Sequence, residues 1–443
     1  MSHDPRGPAC DVLVIGAGPA GSACAYWLAE AGWDVIVVEK KHFPREKTCG
    51  DGLTPRAVRQ LGDMGLGSVL AGAHRFEGLR ACAFGRALEL RWPAHPSFPE
   101  HGYTITRHDL DQAVAENAQK AGAKLLQGTE ALEPLEPTPA AAGASRAGAP
   151  PGMPVGAARS LASCTGVLVR SVDGGGTREI RARYVVVADG ANSRLGRSLG
   201  TMRDQSYPMG MALRGYFRSE HHDDRFIESH LDIRDASGDV VPGYGWVFPL
   251  GDGRVNVGVG VLSSSKRWRG TNTTRLMDAF VDWAPKYWGL SPDTSCGPPT
   301  GGRLPMGLAV GPRSGANVVV VGDAAGAVNP FNGEGIAYGY ETGRLAAACL
   351  GQALAGEGPA ALAGYEARLQ HAYGLYYKTA RLFVRLINQP KVLRACVSTG
   401  MRSEHAMGWV LRIMANLVRP DEIGPAEHAY RVVAALAGIT PEA

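Results

Sequence analysis

The chain has 443 residues and carries 46 Lys and Arg against 42 Asp and Glu, a formal net charge of +4 at pH 7. A balance this close does not suggest a nucleic-acid-binding protein, and the sequence contains no RNA- or DNA-binding motif. The length exceeds that of a single typical core, so at least two lobes are expected.

The eight cysteines are scattered without CxxC spacing. The sequence therefore predicts neither a zinc site nor a disulfide framework, and no metal is expected. The leader before the first predicted strand is short and polar, and no apolar run is long enough to span a bilayer. We expect a cytoplasmic protein that is soluble or lies on the inner face of the cell membrane.

Residues 11–40, DVLVIGAGPAGSACAYWLAEAGWDVIVVEK, read as strand, glycine turn, helix and second strand. Gly16 allows the tight turn, Gly18 lets the backbone approach a pyrophosphate, and Gly21 lets the helix pack close to the sheet. An acidic residue at the end of the second strand can accept hydrogen bonds from both hydroxyls of an adenosine ribose. The candidate nucleotide-binding residues are Gly16, Ala17, Gly18, Pro19, Ala20, Gly21, Glu39 and Lys40.

Two later apolar strands run into Asp189-Gly190 and Gly322-Asp323. Ligands of parallel sheets lie beyond the carboxyl ends of the strands, so both aspartates are expected at the ligand edge. These segments resemble the FAD-binding glutathione-reductase-type fold, in which the second aspartate binds the ribityl chain. The resemblance implies FAD, which the glycine turn alone does not distinguish from NAD. Asp189 has an alternative as a turn residue that caps the next helix.

Residues 134–166 are rich in Ala, Pro, Gly and Ser, and we expect a flexible insertion between two strands. Residues 201–300 contain period-two runs that predict an antiparallel sheet. The predicted fold is thus α/β, a Rossmann-like FAD-binding domain with an inserted antiparallel substrate domain and a helical C-terminal region. The expected boundaries are 8–80, 103–200 and 301–350 for the FAD domain, 81–102 and 201–300 for the substrate domain, and 351–443 for the helices.

Alternation places Tyr244, Trp246 and Phe248 on one face of a strand. In the next run the valines share a face and leave Gly258 and Gly260 on the other. An aromatic wall beside glycines predicts a groove for a long apolar ligand, with these five residues as its lining. Aromatic rings that simply pack in a core are the alternative for each of them.

The segments PREKTCGDGLTPR and YGWVFPLGDGRVNVGVG resemble the two signatures of the geranylgeranyl reductase family, and the resemblance extends from Asp11 to about Val418. It implies an FAD-dependent enzyme that hydrogenates a prenyl C=C bond of a polyprenyl lipid. Four segments, CGDGLTPRAV among them, are most similar to family members that act on menaquinone, which makes the menaquinone side chain the expected substrate. The alternatives are a geranylgeranyl lipid or diphosphate reductase, a flavin-dependent monooxygenase, or a flavin-binding protein without turnover. No motif identifies the electron donor.

An isolated alkene accepts hydride only together with a proton, so the site needs an acid. The resemblance places the Cys-Gly-Asp-Gly loop beside the flavin and makes Cys49 the candidate acid, with Asp51 as a proton relay or a ligand of the ribityl hydroxyls. An unreactive buried cysteine is the alternative. The other residues that the resemblance assigns to FAD are Gly50, Gly52, Arg107, Pro330, Gly333, Gly335 and Ile336. Arg107 could instead form a surface ion pair with Asp109 or Asp111.

From about Ala361 the sequence turns helical, with apolar residues at steps of three and four. Between Lys378 and Arg419 there are eight Lys or Arg and one acid, Glu404. Basic residues beside apolar stripes suggest docking on anionic lipid. The alternative is that the stripes are core and the charges a solvated face.

Overall fold

The computed structural model describes residues 9–138, 160–263, 271–387, 389–418 and 424–439. In chain order the strands are β1 (Cys10–Ile15), β2 (Val35–Val38), β3 (Gly52–Leu53), β4 (His74–Phe76), β5 (Gly78–Ala83), β6 (Arg86–Arg91), β7 (Gly102–Thr104), β8 (Lys124–Leu126), β9 (Thr129–Leu135), β10 (Gly166–Ser171), β11 (Thr177–Val187), β12 (Met202–Arg203), β13 (Met209–Arg218), β14 (Phe226–His230), β15 (Gly243–Pro249), β16 (Arg254–Leu262), β17 (Thr300–Pro305), β18 (Val310–Gly311) and β19 (Val318–Val320). The α-helices are α1 (Pro19–Glu30), α2 (Pro55–Asp63), α3 (Arg107–Lys120), α4 (Arg194–Ser198), α5 (Thr273–Trp283), α6 (Ile336–Gln352), α7 (Pro359–Leu369), α8 (Leu375–Ile387), α9 (Pro390–Gly400), α10 (Glu404–Met414) and α11 (Pro425–Ile439).

The first sheet joins the glycine turn to the two aspartate segments. Its parallel part has the order β8-β2-β1-β11, with β19 also beside β11. Apart from the edge strand β8, these strands are valine-rich and buried on both faces, as parallel strands between two layers must be. Helix α1 packs on α6 so closely that a Cβ on Gly343 would overlap the carbonyl oxygen of Ala20. The predicted α/β fold with a Rossmann-like domain is confirmed.

Strand β11 continues past β1 into an antiparallel extension with β10 and β9. The expected insertion falls between β9 and β10, and most of it, residues 139–159, lies outside the described residues. The described ends of the two strands, Leu135 and Gly166, pair beside Arg181, near the start of β1 and away from the glycine turn at its end.

The second sheet has the strand order β17-β13-β16-β15-β14-β5-β6. Its neighbours are antiparallel except β14 and β5, which pair in parallel and are joined by a long crossover connection. One face of this sheet forms an apolar core with α5, in which Val255, Val257, Val259 and Val261 are all buried. Strand β17 also pairs into this sheet. The sheet therefore continues past the expected boundary at residue 300, as far as Pro305.

The C-terminal helices pack mainly onto the first sheet's helices. Leu362, Tyr365 and Leu369 are fully buried in the largest core cluster, and Met407 and Leu411 of α10 pack against β6. For these stripes the core alternative is therefore the one the structure supports. Among the described residues, no helix combines the length and the apolar composition needed to cross a bilayer.

Candidate active site

The glycine turn after β1 forms an open cradle at the start of α1. Gly16 has φ +101°, and a Cβ there would lie 2.5 Å from the carbonyl oxygen of Ala188. A Cβ on Gly21 would overlap the carbonyl oxygen of Gly16. The N-cap is Gly18, which has no side chain to cap the helix, and the space beside it is free up to Arg45 Nη2 at 3.9 Å. Uncapped N–H groups and a guanidinium beside open space fit a pyrophosphate.

The acidic residue at the end of β2 is held by the backbone of the turn. Glu39 accepts hydrogen bonds from the N–H groups of Ala17 and Lys41, each at 3.0 Å, and Arg45 lies 3.4 Å from Oε2. The carboxylate is thus fixed at the edge of the cradle, where an adenosine ribose would bind. Lys40 instead points outward, where its Nζ pairs with Glu130 at 2.8 Å.

The two aspartates lie at the carboxyl ends of β11 and β19. Asp189 Oδ2 accepts the N–H groups of Arg194 at 2.9 Å and Leu195 at 3.3 Å, so the expected alternative as a helix-capping residue holds. Its Oδ1 is buried without a partner in the described part of the chain, and burial raises the pKa of this carboxyl. Asp323 lies 3.3 Å from Lys47 Nζ. An unpaired buried oxygen at the ligand edge fits a cofactor that donates hydroxyls, as FAD does.

In the loop before α6, one of the N–H groups that we expected to meet the flavin is already used, because Gly333 donates to the carbonyl of Asn329 at 2.9 Å. Helix α6 begins at Ile336, its N-cap Gly335 makes no side-chain cap, and Gly333 has φ +76°. Pro330 lies in the same loop and is buried. An uncapped helix start here fits the flavin's pyrimidine edge and favours negative charge on the reduced ring.

The Cys-Gly-Asp-Gly loop packs against the aromatic strand β15. A Cβ on either Gly50 or Gly52 would lie 3.1 Å from the ring of Phe248. The two glycines therefore allow close approach of this ring, whereas the sequence led us to expect a role against the flavin. Cys49 is half-buried, and burial raises the pKa of its thiol while the Arg107 guanidinium opposes that rise.

Asp51 is the most constrained member of the loop. It is fully buried, has φ +62° and accepts two hydrogen bonds on Oδ2, from the Tyr216 hydroxyl at 2.6 Å and from Asn256 Nδ2 at 2.8 Å. Asn256 Nδ2 also donates to the Cys49 carbonyl at 2.8 Å, and its Oδ1 accepts from Trp246 Nε1 at 3.0 Å. Burial raises the pKa of the Asp51 carboxyl to about 6.

Arg107 is committed to an ion pair in this structure. Its Nε and Nη2 donate to the two carboxylate oxygens of Asp111, both at 2.7 Å, and both residues are almost fully buried. Asp111 also accepts from Arg45 at 2.9 Å. A surface ion pair with Asp109 or Asp111 was the alternative expected for Arg107. The pair with Asp111 forms, but it is buried. Arg45, which sequence reasoning missed, is the arginine that lies beside the open cradle.

The aromatic strand has the predicted geometry but not the predicted clearing. Adjacent ring centroids of Tyr244, Trp246 and Phe248 are 5.7 and 6.3 Å apart on one face. A Cβ on Gly258 would overlap the Trp246 indole, so the expected groove is filled by this ring at that point. At Gly260 the nearest atoms are 3.8 Å away, which leaves ordinary contact space.

A surface pocket of about 390 Å³ opens beside the Cys-Gly-Asp-Gly loop, between the second sheet and the Asp189 segment. Its lining includes Asn192, Met211, Gly302 and Arg303. Thr48, next to Cys49, donates to the carbonyl of neighbouring Gly301 at 3.2 Å. The pocket therefore adjoins the residue before the candidate acid, although Cys49 itself is not part of its lining.

Tyr216 and Glu334 carried no readable signal when taken singly, whereas alternation with the valines already places Asn256 on the face of Gly258 and Gly260. Tyr216 and Asn256 are cross-strand neighbours on β13 and β16, and alternation could have placed Tyr216 on the aromatic face as well. Glu334 accepts a hydrogen bond from the Thr54 hydroxyl, and its buried Oε2 has no partner among the described residues. Burial raises the pKa of the Glu334 carboxyl to about 7.

Within the described residues, Cys82, Glu228 and His230 lie close enough together to share a metal ion. Glu228 lies 2.7 Å from His230 Nε2 and accepts hydrogen bonds from Trp288 at 2.9 Å and Arg80 at 3.3 Å. Its oxygens are thus already satisfied, so this cluster is accounted for as a buried hydrogen-bond network.

The comparisons with known proteins agree with this geometry. A family model described as FAD binding domain matches residues 9–144. Menaquinone reductase of Mycobacterium tuberculosis is 41% identical over 416 residues, which cover 93% of this chain and 92% of that protein. Menaquinone reductase of Mycolicibacterium smegmatis is 39% identical, with 93% of each chain covered. Digeranylgeranylglycerophospholipid reductase 1 of Methanopyrus kandleri is 30% identical, with 76% of this chain and 79% of that protein covered.

Solved structures support the fold. A geranylgeranyl bacteriochlorophyll reductase-like protein from Thermoplasma acidophilum has a TM-score of 0.70 at 22% identity, with 95% of each chain covered. A flavin-dependent brominase has a TM-score of 0.68 at 17% identity and covers 97% of this chain and 99% of that chain. The predicted family, FAD cofactor and enzyme class are confirmed. The chain belongs to the geranylgeranyl reductase family of FAD-dependent oxidoreductases, together with the mycobacterial menaquinone reductases.

Proposed function

We propose that this protein hydrogenates one prenyl C=C bond in the side chain of menaquinone. The observation that carries the proposal is the contact between the Cys-Gly-Asp-Gly loop and the aromatic strand, which brings a thiol and a buried carboxyl to an apolar face. The extent of similarity to the mycobacterial menaquinone reductases supports this substrate over other prenyl lipids.

FAD, when bound and reduced, supplies the hydride. The residues that would hold it are those of the open cradle, Glu39, Asp189 and Asp323, with the start of α6 at the flavin. The protein must supply the proton, because a trisubstituted alkene is not an electrophile. Protonation at the less substituted carbon places positive charge on the tertiary carbon, where the hydride adds.

Cys49 is the proposed proton donor to the alkene, because it is half-buried whereas Asp51 is sealed beneath Tyr216 and Asn256. The thiolate that forms lies beside the Arg107 guanidinium, which lowers the cost of its charge. Asp51 then returns a proton to the sulfur. The contacts of Asp51 run to the second sheet, which favours the relay over the ribityl-binding role.

The aromatic face would bind the prenyl tail by apolar contact. Tyr244 and Phe248 remain partly exposed, whereas Trp246 is buried and fixed by its hydrogen bond to Asn256. Apolar area buried in this way contributes about 25 cal/mol per Å². A rigid wall with two accessible rings suits a flexible tail that has little polarity of its own.

Mass spectrometry of quinones from cells with and without this chain tests the proposal. We expect a gain of two hydrogens in menaquinone that depends on the protein. Unchanged quinones with altered phospholipids would instead favour reduction of a geranylgeranyl lipid, the activity for which the Methanopyrus kandleri relative is named. A product that gains oxygen would identify a monooxygenase.

We further propose that the protein docks on the inner face of the cell membrane through α9 and the end of α8. Leu386 is 52% exposed and Val392 is 37% exposed, beside the exposed basic residues Arg385, Lys391 and Arg394. Apolar side chains among cations complement anionic lipid, which would place the tail-binding face within reach of the quinone.

Co-sedimentation with vesicles tests the docking. We expect binding to vesicles that contain phosphatidylglycerol, little binding to phosphatidylcholine alone, and loss of binding in the double variant Lys391→Glu with Arg394→Glu. The matched control is Lys120→Glu with Arg178→Glu, two exposed cations of the FAD domain. Equal loss in both double variants would contradict a defined docking surface.

A further inference from the structure

Tyr216 occupies an unusual position at the centre of the polar network. It lies on β13 opposite Asn256 of β16, and its ring is flanked by the guanidinium groups of Arg214 at 4.1 Å and Arg254 at 5.1 Å. Two cations against one aromatic ring hold its plane and therefore the direction of its hydroxyl. That hydroxyl donates to Asp51 Oδ2 at 2.6 Å.

The donors around Asp51 all favour its ionised form, whereas its burial favours the neutral acid. Oδ2 accepts from Tyr216 and Asn256, and Oδ1 lies 3.3 Å from the backbone N–H of Arg107. The hydroxyl of Tyr216 forms the shortest of these bonds. Removing one donor from a buried carboxylate shifts the balance towards the protonated acid.

We propose that Tyr216 is a positioning residue that sets the protonation state of Asp51, and with it the pH range over which the loop can supply a proton to a prenyl substrate. The inference rests on the proposed function and deepens it. Tyr216 acts through Asp51 and needs no contact with substrate. Its role requires only the hydroxyl and the orientation that the two arginines impose.

Other charged or titratable groups also act on the Asp51 carboxyl. Arg214 lies on the same strand as Tyr216, Arg107 begins α3, and the Cys49 thiol lies two residues away. Burial raises the pKa of Asp51 most, and the Tyr216 hydrogen bond is the strongest influence that lowers it, ahead of Arg214 and Asn256. Replacing Tyr216 is therefore the substitution most able to move this titration.

The test is Tyr216→Phe, which keeps the ring between the two arginines and removes only the donor. Activity that needs protonated Asp51 falls as pH rises past its pKa. Loss of the donor raises that pKa, so the falling limb of the pH–rate profile should move upward by about one pH unit. The matched control is Tyr287→Phe, which removes the hydrogen bond of an exposed tyrosine to the carboxylate of Asp224, away from Asp51, and should leave the limb in place.

A second measurement does not depend on turnover. Infrared difference spectra of the ¹³C-aspartate-labelled protein, with Asp51→Asn used to identify the band, follow the titration of this one carboxyl directly. We expect the band to titrate at higher pH in Tyr216→Phe than in wild type. If wild type reduces no prenyl lipid while the band shifts, the proposed function fails, whereas the control of the Asp51 protonation state by Tyr216 stands.

The inference is overturned if the band titrates at the same pH in Tyr216→Phe and wild type. Where wild type is active, it is also overturned if both the falling limb and the band of Tyr216→Phe stay at their wild-type pH. Tyr216→Met also lacks the donor and serves where the phenylalanine variant does not fold. A band that moves equally in the Tyr287→Phe control would likewise count against it, because the effect would then not be specific to this hydroxyl.

Discussion

The two faces of the second sheet use the same strands in opposite ways. On one face, Val257 and Val259 of β16 pack with Phe280 and Trp288 in an apolar core, whose border carries the buried Glu228 as acceptor of a hydrogen bond from Trp288. On the other face of β16, Asn256 joins the loop of Asp51 through hydrogen bonds. Alternation along one strand therefore separates a surface that stabilises the fold from a surface that carries the chemistry.

The difference shows where the molecule accepts an energetic cost. Burying a carboxyl is unfavourable unless its hydrogen bonds are satisfied. Asp51 meets this condition with Tyr216 and Asn256, yet its pKa is still raised to about 6. A face evolved for stability alone would carry apolar side chains at these positions, as the valine face does. Substitutions on the polar face should thus affect turnover, and those on the valine face should affect stability.

The largest expected effect follows Cys49→Ala. If the thiol delivers the proton to the alkene, turnover should fall by roughly 10²- to 10⁴-fold, the usual contribution of a general acid. Bound FAD, measured by its absorbance, should be retained. The control Cys164→Ala removes a buried thiol from outside the site and should leave turnover unchanged. Unimpaired turnover in Cys49→Ala would remove this residue from the mechanism.

A smaller loss is expected for Asp51→Asn. Asparagine tolerates the positive φ of this position and can still accept from Tyr216, but it cannot return a proton to the sulfur. Turnover should fall about tenfold to a hundredfold. In wild type the rate should decline as pH rises past about 6, and this decline should be absent in the variant. Identical pH profiles would contradict the relay.

Substitutions on the valine face should lower stability and leave turnover unchanged. Val257→Ala removes two buried methyl groups between the sheet and α5, and should lower the free energy of unfolding by roughly 2 kcal/mol. Turnover per folded molecule should remain near wild type at low temperature. Denaturant unfolding measures the first quantity, and Val172→Ala, at a position 44% exposed, is the near-neutral control. Loss of turnover without loss of stability would break the comparison between the faces.

The smallest effect concerns Glu334, in the loop before α6. Its folded-state pKa is raised from 4.5 to about 7, so the folded protein holds a proton that the unfolded chain releases between these values. Its contribution to stability is therefore full below pH 4.5 and is lost as pH rises to about 7.

Glu334→Gln should flatten the pH dependence of the melting temperature over that interval. Glu133→Gln, at an exposed position, should not. A melting temperature whose pH dependence is the same in wild type and Glu334→Gln would show that this carboxyl is ionised in the folded protein.

Local patterns in the sequence were enough to predict the glycine turn, the helical C-terminal stripes and the shared face of Tyr244, Trp246 and Phe248. These features depend on spacing along one segment. The filling of the space over Gly258 by Trp246 was not predictable, because a ring's rotamer depends on a partner, here Asn256, on another strand.

The remaining differences have the same cause. The pair of Arg107 with Asp111 lies within α3 at i,i+4 and could be read from the spacing, whereas its burial depends on how distant segments pack around α3. Tyr216 gains its meaning from Asp51, 165 residues away in the sequence. Contacts between residues so far apart leave no trace in local periodicity, so this part of the site becomes visible only once the chain is folded.

The central claim is that a prenyl tail crosses the aromatic strand and presents its double bond to Cys49 and reduced flavin. A crystal structure with FAD and a prenylated quinone analogue tests it most directly. We predict density for the tail along Tyr244 and Phe248, with a C=C bond between the isoalloxazine and the Cys49 sulfur. Density that shows this path closed by packed side chains, with only a small polar cleft over the flavin, would contradict the account.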